Sequence, residues 1–296
     1  MSAITGQAAV GVIGGSGFYE LLENAREVAI KTPFGDPSDV YFLGEIDGVP
    51  VAFLPRHARG HRILPGEVNY RANIWGLKKL GVRHILSASA VGSLKKELAP
   101  LDVVVPDQLF DRTKARPSTF FGEGVVVHMG FADPFCPYVG KLLVEHGKAV
   151  GATVHEGGTY VCIEGPQFST KAESRIYRSW GVDVVGMTNM PEAKLAREAE
   201  LCYATIAMVT DFDCWHPDHD VVTVQDIIQV LMDNAERAQR LVARLAADLP
   251  REHEQCPIGS DRALDSALIT APEARDPELI KKLDAVAGRV LKGQTP

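Results

Sequence analysis

The run Thr210-Asp211-Phe212-Asp213-Cys214-Trp215 directly follows an apolar stretch, Tyr203 to Val209, that reads as a buried strand. Two carboxylates at the exit of such a strand are costly to dehydrate unless a function uses them. Asp211 and Asp213 sit two apart, so in a continued extended conformation both would point to one side and repel. A shared site raises the pKa of one member. A carboxyl held partly protonated near neutral pH can give a proton to a leaving group, while its ionised neighbour accepts hydrogen bonds from an amino group. That combination suits the N7 and 6-amino edge of adenine. The plainer alternative is a pair of acids opening a solvated loop, a common place for carboxylates, so the choice rests on what else the chain supplies.

It supplies donors for an anion. Arg56-His57-Ala58-Arg59-Gly60-His61-Arg62 follows the strand-like stretch Val51 to Leu54 and concentrates the cationic and polar donors that phosphate needs in an acidic protein. His57 and His61 have the spacing of a helical metal pair, but Gly60, the flanking arginines and the lack of H-E-x-x-H count against a metal. The turn Gly14-Gly15-Ser16-Gly17 ends another strand and lets backbone amides converge. Its spacing does not fit G-x-G-x-x-G, and no G-x-x-x-x-G-K-[ST] element is present, which leaves a small-anion site with the Ser16 hydroxyl, or a plain glycine turn. Ser89 and Thr188 close two further strands with hydroxyls, Met187 stands beside the second, and Phe168 follows a third. Hydroxyls at several strand ends can converge on one phosphate at a sheet edge. Phe168 can stack on a planar base or fill the core.

The elements that must carry these groups alternate between strand and helix. Helical stripes at 68–80, 169–180 and 191–199 separate strands at 8–13, 51–54, 84–88, 159–163, 183–187 and 203–209. The pattern predicts an α/β fold: one domain over residues 1–296, three layers α/β/α around a central mixed sheet, with ligands at strand ends. Residues 250–296 read as a C-terminal extension ending in a helix, capped by Asp276 and Pro277 and carrying the stripe Leu279, Ile280, Leu283, Val286, Val290, Leu291. That stripe is expected to dock on its own subunit. With 296 residues, 46% of them apolar, a substantial core is available, and a net charge of -7 argues against a nucleic-acid partner. Five scattered cysteines without a C-x-x-C pair suggest neither a disulfide framework nor a zinc site. Glycines interrupt the first apolar run and no basic residue precedes it, so the expectation is a cytoplasmic protein without a membrane partner.

Taken together, these residues closely resemble the purine nucleoside phosphorylase family, and within it the members acting on S-methyl-5'-thioadenosine. The carriers are Gly14 to Gly17, Thr32-Pro33-Phe34-Gly35, Arg56-His57 through His61, Val68 to Asn73, Gly165-Pro166-Gln167-Phe168-Ser169, Met187-Thr188 and Thr210 to Trp215, spanning about residues 10–245. The resemblance implies that inorganic phosphate, a co-substrate, attacks C1' and adenine leaves, giving 5-methylthioribose 1-phosphate in methionine and purine salvage. It implies phosphate contacts from Ser16, Arg56, His57, Ser89, Ala90 through its backbone, and Thr188. Met187 would lie on the ribose, Phe168 on the base, and Asp211 would face N7 and the 6-amino group with Asp213 in support. His128, Val224, Ile227 and Ile228 would line the methylthio pocket, although the last three also have the spacing of ordinary helix packing. No metal or organic cofactor is implied. A homotrimer is, with the C-terminal helix reaching a neighbouring subunit.

Departures from the family pattern are Ala58 in place of Gly, Ser16 and Ser89 where many relatives have Thr, and Gly186 where some have Asn. The nearest alternative is a 6-oxopurine nucleoside or methylthioinosine phosphorylase, against which Asp211 and Asp213 stand, because an ionised carboxylate cannot donate to O6. A dinucleotide-dependent oxidoreductase would need the missing glycine spacing. A nucleoside-binding protein without catalysis would have little use for a phosphate cluster beside a perturbed carboxyl.

Overall fold

A computed structural model describes residues 7–15, 22–216, 224–249 and 256–291, the side chains of 224–229 and 231–236 excepted. In chain order the elements are β1 (Val10–Gly14), β2 (Glu23–Val28), β3 (Tyr41–Ile46), β4 (Val49–Pro55), α1 (Tyr70–Leu80), β5 (His84–Ser93), β6 (Val103–Val105), β7 (Gln108–Arg112), α2 (Pro137–Ala149), β8 (Val154–Glu156), β9 (Thr159–Ile163), α3 (Lys171–Ser179), β10 (Val184–Gly186), α4 (Asn189–Glu198), β11 (Cys202–Asp211), α5 (Val224–Asp248), α6 (Pro277–Lys282) and α7 (Asp284–Leu291).

Successive side chains of a strand point to opposite faces, and here that alternation sorts the apolar residues into two cores. Ala52 and Leu54 of β4, Ile85 of β5 and Tyr203 of β11 meet Ile74, Leu77, Leu195, Leu283 and Val286 of α1, α4 and the C-terminal segment. Val51 and Phe53, Leu86 and Ile206 face the other way, onto Val139 and Leu143 of α2 and Leu241 and Leu245 of α5. The result is the three-layer α/β/α arrangement with a mixed sheet that the alternation predicts.

The sheet runs β2-β3-β4-β1-β5-β10-β9-β7, with β11 paired to β5 and β6, and β6 to β8. Strand β5 is the fork that makes the site possible. Its first residues pair in parallel with β1 (Val10↔His84 to Ile13↔Ser87), and β11 follows its other edge in parallel from Cys202↔His84 to Asp211↔Gly92. At its far end Gly92 and Ser93 pair antiparallel with Val185 and Val184 of β10. The ends of β1, β4, β5 and β11 therefore emerge on one edge, and the antiparallel turn of β10 brings residues 187 and 188 back alongside Ala90 and Ser89.

Local chemistry fixes the helices. Asn69 caps α1 by accepting the Ala72 N–H (3.1 Å), and Gly81 ends it in the left-handed region at φ 94°. Thr170 and Glu173 close α3 in a reciprocal capping box. In α4, Met190 is non-helical (φ -115°, ψ 132°), so the regular helix starts at Pro191, as its sequence implies.

One expectation needs correction. The last stripe is not a single helix: α6 ends at Lys282 and α7 starts at Asp284, with Leu283 between them. At the break the Lys282 carbonyl accepts the indole N–H of Trp75 (3.2 Å) from α1. Leu279, Leu283, Val286 and Leu291 nevertheless share one side and are buried in the α1/α4 core of the same chain. Arg289 of α7 adds an ion pair to buried Glu200 (2.8 Å). No helix among the described residues is long and apolar enough to cross a membrane.

Candidate active site

At the exit of β11 the extended backbone, the condition under which both acids would point to one side, does not continue. The register shifts between Val209 and Asp211, and Asp213 turns into the left-handed region at φ 51°. The Asp211 carboxylate causes this turn, with Oδ1 accepting the backbone N–H of Asp213 (2.7 Å) and Oδ2 accepting the Thr210 hydroxyl (2.6 Å). The two acids still share one pocket over Gly92, where an added Cβ would lie 3.0 Å from Asp211 Oδ1 and 3.3 Å from Asp213 Cβ. Burial raises both carboxyl pKa values, and for Asp213 the charge of Asp211 raises it further. Burial, not mutual repulsion, is the larger cause. The following residues are anchored: Trp215 Nε1 donates to the Ser93 carbonyl (2.7 Å), and the Arg178 guanidinium covers its ring at 3.6 Å.

On the same edge stand the anion donors. Arg56 is not in a solvated loop; it is buried at 2% exposure. Its Nε donates to Glu192 Oε2 (2.9 Å), its Nη2 to Glu192 Oε1 (3.0 Å) and Ser87 Oγ (2.7 Å), and its Nη1 to the Ala88 carbonyl (2.9 Å). Among the described residues, one Nη1 hydrogen of the five N–H groups is left for an anion. Glu192, on α4, was missed in the sequence; the only hint was an acid inside an otherwise apolar helix face. His57 follows directly and places Nδ1 2.8 Å from the Ile63 carbonyl. Burial, with Arg56 alongside, lowers its pKa to about 4. It is neutral at pH 7, so Nδ1 donates to Ile63 and Nε2 is the acceptor. The His61 ring stacks on it at 4.5 Å.

Ser89 and Thr188 converge as the sequence suggests, with their hydroxyl oxygens 3.2 Å apart, and both are buried. Ala90 is joined to them through its carbonyl, 3.3 Å from Ser89 Oγ. Tyr160 was also missed, because a strand tyrosine looks like core; its phenolic oxygen is 3.1 Å from Ser89 Oγ. Met187 packs its sulfur against Gly165, where a Cβ would come within 2.5 Å of Sδ and displace it; the φ of +68° is what favours glycine there. Phe168 is 52% exposed, which removes the core-filling alternative. A third residue invisible in the sequence, Arg116, ties these loops together: its Nη1 donates to the carbonyls of Met187 and Met190 (both 2.7 Å), and its Nη2 to that of Glu164 (2.6 Å).

Other expected residues are not joined to this group. Ser16 and the side chains of Val224, Ile227 and Ile228 lie outside the described residues. His128 is exposed, and its backbone N–H donates to the Ala267 carbonyl (2.9 Å) in the layer of the C-terminal segment. The cysteines, scattered in sequence, are not all scattered in space: the thiols of Cys136, Cys202 and Cys256 lie within 4.8 Å of one another, buried and away from the acids.

Ser89, which lies inside β5 and not at its end as the sequence suggests, Thr188 just after β10, buried Arg56 beside half-buried His57, and two acids of raised pKa stand on one sheet edge, an arrangement chemically able to take an anion beside a nitrogenous base. Independent comparisons agree with that chemistry. The sequence model of the phosphorylase superfamily matches residues 9–247. The S-methyl-5'-thioadenosine phosphorylase of Bradyrhizobium diazoefficiens is 63% identical over 289 residues, covering 97% of this chain and 99% of the relative. That of Cereibacter sphaeroides is 59% identical over 286 residues, covering 96% and 99%. Among solved structures, a methylthioadenosine phosphorylase from an Antarctic soil metagenomic library superimposes with a TM-score of 0.90 at 52% identity, covering 95% of this chain and 99% of its own. The Schistosoma mansoni enzyme in complex with adenine gives 0.82 at 38% identity, covering 91% and 99%. With the glycine turn, the Arg–His step and the acid pair all inside the matched span, this chain belongs to the phosphorylase superfamily, as a member with the nucleoside phosphorylase fold.

Proposed function

We infer that the chain catalyses phosphorolysis of S-methyl-5'-thioadenosine, releasing adenine and 5-methylthioribose 1-phosphate. The observation that carries this choice of base is the pair of acids, half-buried Asp211 and buried Asp213, at the mouth of β11, within the same edge as Ser89 and Thr188. A carboxyl of raised pKa is suited to give a proton toward N7 as the glycosidic bond breaks. Its ionised form accepts from the 6-amino group, which a 6-oxopurine lacks.

The breaking bond leaves an oxocarbenium-like ribose, so an anion fixed beneath C1' lowers the barrier electrostatically and by position, together worth several of the ~7 to 11 kcal/mol open to well-oriented reactants. The proposed cradle is Ser16, Ser89, Thr188, the Ala90 backbone, the spare Nη1 hydrogen of Arg56 and Nε2 of neutral His57, which accepts a hydrogen bond from a protonated phosphate oxygen. Arg56 then acts mostly by stiffening the Ser87-Ala88 stretch, because Glu192, Ser87 and the Ala88 carbonyl together hold four of its five donors. Met187 packs on the ribose. The exposure of Phe168 supports its stacking on the base. No metal or organic cofactor enters the scheme.

Val224, Ile227, Ile228 and His128 are proposed for the methylthio group. His128 is exposed and tied to the C-terminal layer, which supports its reaching the pocket of a neighbouring subunit in a homotrimer. A cytoplasmic location fits this role in salvage. The test is adenine release from methylthioadenosine, adenosine and inosine, with and without phosphate. Phosphate-dependent release fastest with methylthioadenosine is expected; cleavage of inosine at a comparable rate would mean the acids do not select the base. Full activity from a monomer in light scattering would remove the shared pocket.

A further inference from the structure

We propose that Tyr160 is a positioning residue for phosphate: its phenol, seated where a side chain at position 186 would stand, orients the Ser89 and Thr188 hydroxyls as donors. This rests on assigning phosphate to those two hydroxyls, but it adds a residue from a different strand and accounts for Gly186.

The geometry starts from Gly186 at the end of β10. It lies outside the left-handed region, so its backbone does not call for glycine. What excludes a side chain is Tyr160: a Cβ on residue 186 would fall 1.9 Å from the phenolic oxygen and 2.5 Å from Cζ. The two strands lie side by side in parallel register, Val184↔Tyr160 to Gly186↔Cys162, so the ring lies along β10 and its oxygen reaches the end of that strand. Tyr160 is fully buried. A buried hydroxyl needs partners, and the oxygen it meets is Ser89 Oγ at 3.1 Å.

The direction of the hydrogen bonds follows. Ser89 Oγ is the acceptor that the structure shows within reach of the phenol, so the phenol's single proton is satisfied only by donating there. Ser89 then has a lone pair filled and keeps its own proton to give. Its remaining neighbours are the Ala90 carbonyl at 3.3 Å and Thr188 Oγ1 at 3.2 Å, both longer than usual for O–H donors and therefore easily exchanged for a phosphate oxygen. Phosphate offers chiefly acceptors, so a cradle with its protons turned outward binds it better than one whose hydroxyls satisfy each other. Tyr160 supplies that polarity without touching the anion.

The test is steady-state kinetics on the full chain with Tyr160→Phe, varying phosphate and methylthioadenosine separately. Expected is a KM for phosphate raised roughly tenfold, with the KM for the nucleoside within twofold of the parent and an unchanged melting temperature within a few degrees. A second pair covers the case in which the phenylalanine variant does not fold. Tyr160→Val alone should weaken phosphate, and Tyr160→Val with Gly186→Ser, which returns a hydroxyl to the vacated space, should recover a good part of the loss. An unchanged phosphate KM in Tyr160→Phe beside a raised one in Ser89→Ala would overturn the role of Tyr160 and leave the phosphate site intact. An unchanged KM in both would overturn the phosphate assignment itself. Equal losses for phosphate and nucleoside, or a double variant no better than Tyr160→Val, would reduce Tyr160 to a packing residue.

Discussion

Removing the carboxylate of Glu192 tests whether the Arg56 guanidinium is held by charge. Glu192 is 0% exposed and Arg56 2%. Glu192→Ala removes both acceptors of the fork, at 2.9 and 3.0 Å, and the acceptor used by Ser87 (2.7 Å) and Tyr203 (2.8 Å). A buried cation is left without its counter-charge, a change that costs about 3–5 kcal/mol. For a chain of this size the same loss corresponds to a melting temperature lower by on the order of 10 °C. Glu192→Gln keeps an acceptor for Nε or Nη2 but not the charge, so it should fall between. The control is Arg56→Met with Glu192→Leu, which removes both charges; buried pairs replaced by apolar residues are often neutral in stability, so this protein should melt near the parent while its KM for phosphate rises. Differential scanning calorimetry with phosphate titration of each variant gives both readouts. A Glu192→Ala protein that melts with the parent, or a charge-free double variant as unstable as Glu192→Ala, would refute the account.

Other outcomes follow from the same edge of the sheet. Asp211→Asn should lower turnover of methylthioadenosine roughly 10²-fold or more and raise the share of inosine cleaved; because burial raises the Asp211 pKa, its ionised form destabilises the fold at neutral pH, so the variant should also melt higher at pH 7. Selectivity identical to the parent in a mixed-substrate assay would remove the carboxylate from base choice. His57 has a folded pKa of about 4 against an ordinary 6.5, so the unfolded chain takes up a proton first as acid is added. Stability should therefore drop as pH falls from about 6.5 to about 4, and melting curves of His57→Gln should show a smaller drop; parallel curves for the two proteins would reject the assignment. Prolonged chelation should leave phosphorolysis unchanged, since the acids and hydroxyls need no metal. Loss of activity, restored by a thiophilic ion, would instead draw attention to Cys136, Cys202 and Cys256.

What could be read in the sequence, and what could not, follows from how far each signal travels along the chain. Apolar runs act between neighbours, so the strands β1, β4, β5, β9, β10 and β11 and the three-layer class were legible from their alternation with helices, whereas β2, β3, β6, β7 and β8, short or polar on their exposed side, were not. Groups at strand ends were legible for the same reason: Asp211, Ser89 and Thr188 lie where apolar runs stop. The residues that hold those groups were not, because each acts across a long separation. Glu192 reaches Arg56 over 136 positions, and Tyr160 reaches Ser89 over 71. Arg116 joins loops 71 and 48 residues away. Such partners carry no local pattern, since a buried acid in a helix or a tyrosine in a strand is chemically ordinary until the fold supplies its counterpart. The turn at Asp213 has the opposite origin. There a single side chain, Asp211, captured its own backbone two residues on and overrode the extended conformation that β11 would have propagated. The carboxylate proposed to meet the base thus also bends the chain that presents Asp213. Selection for chemistry and selection for local structure fall on one residue, and the asparagine substitution, which keeps an acceptor for that turn while changing the charge, is the change that separates them.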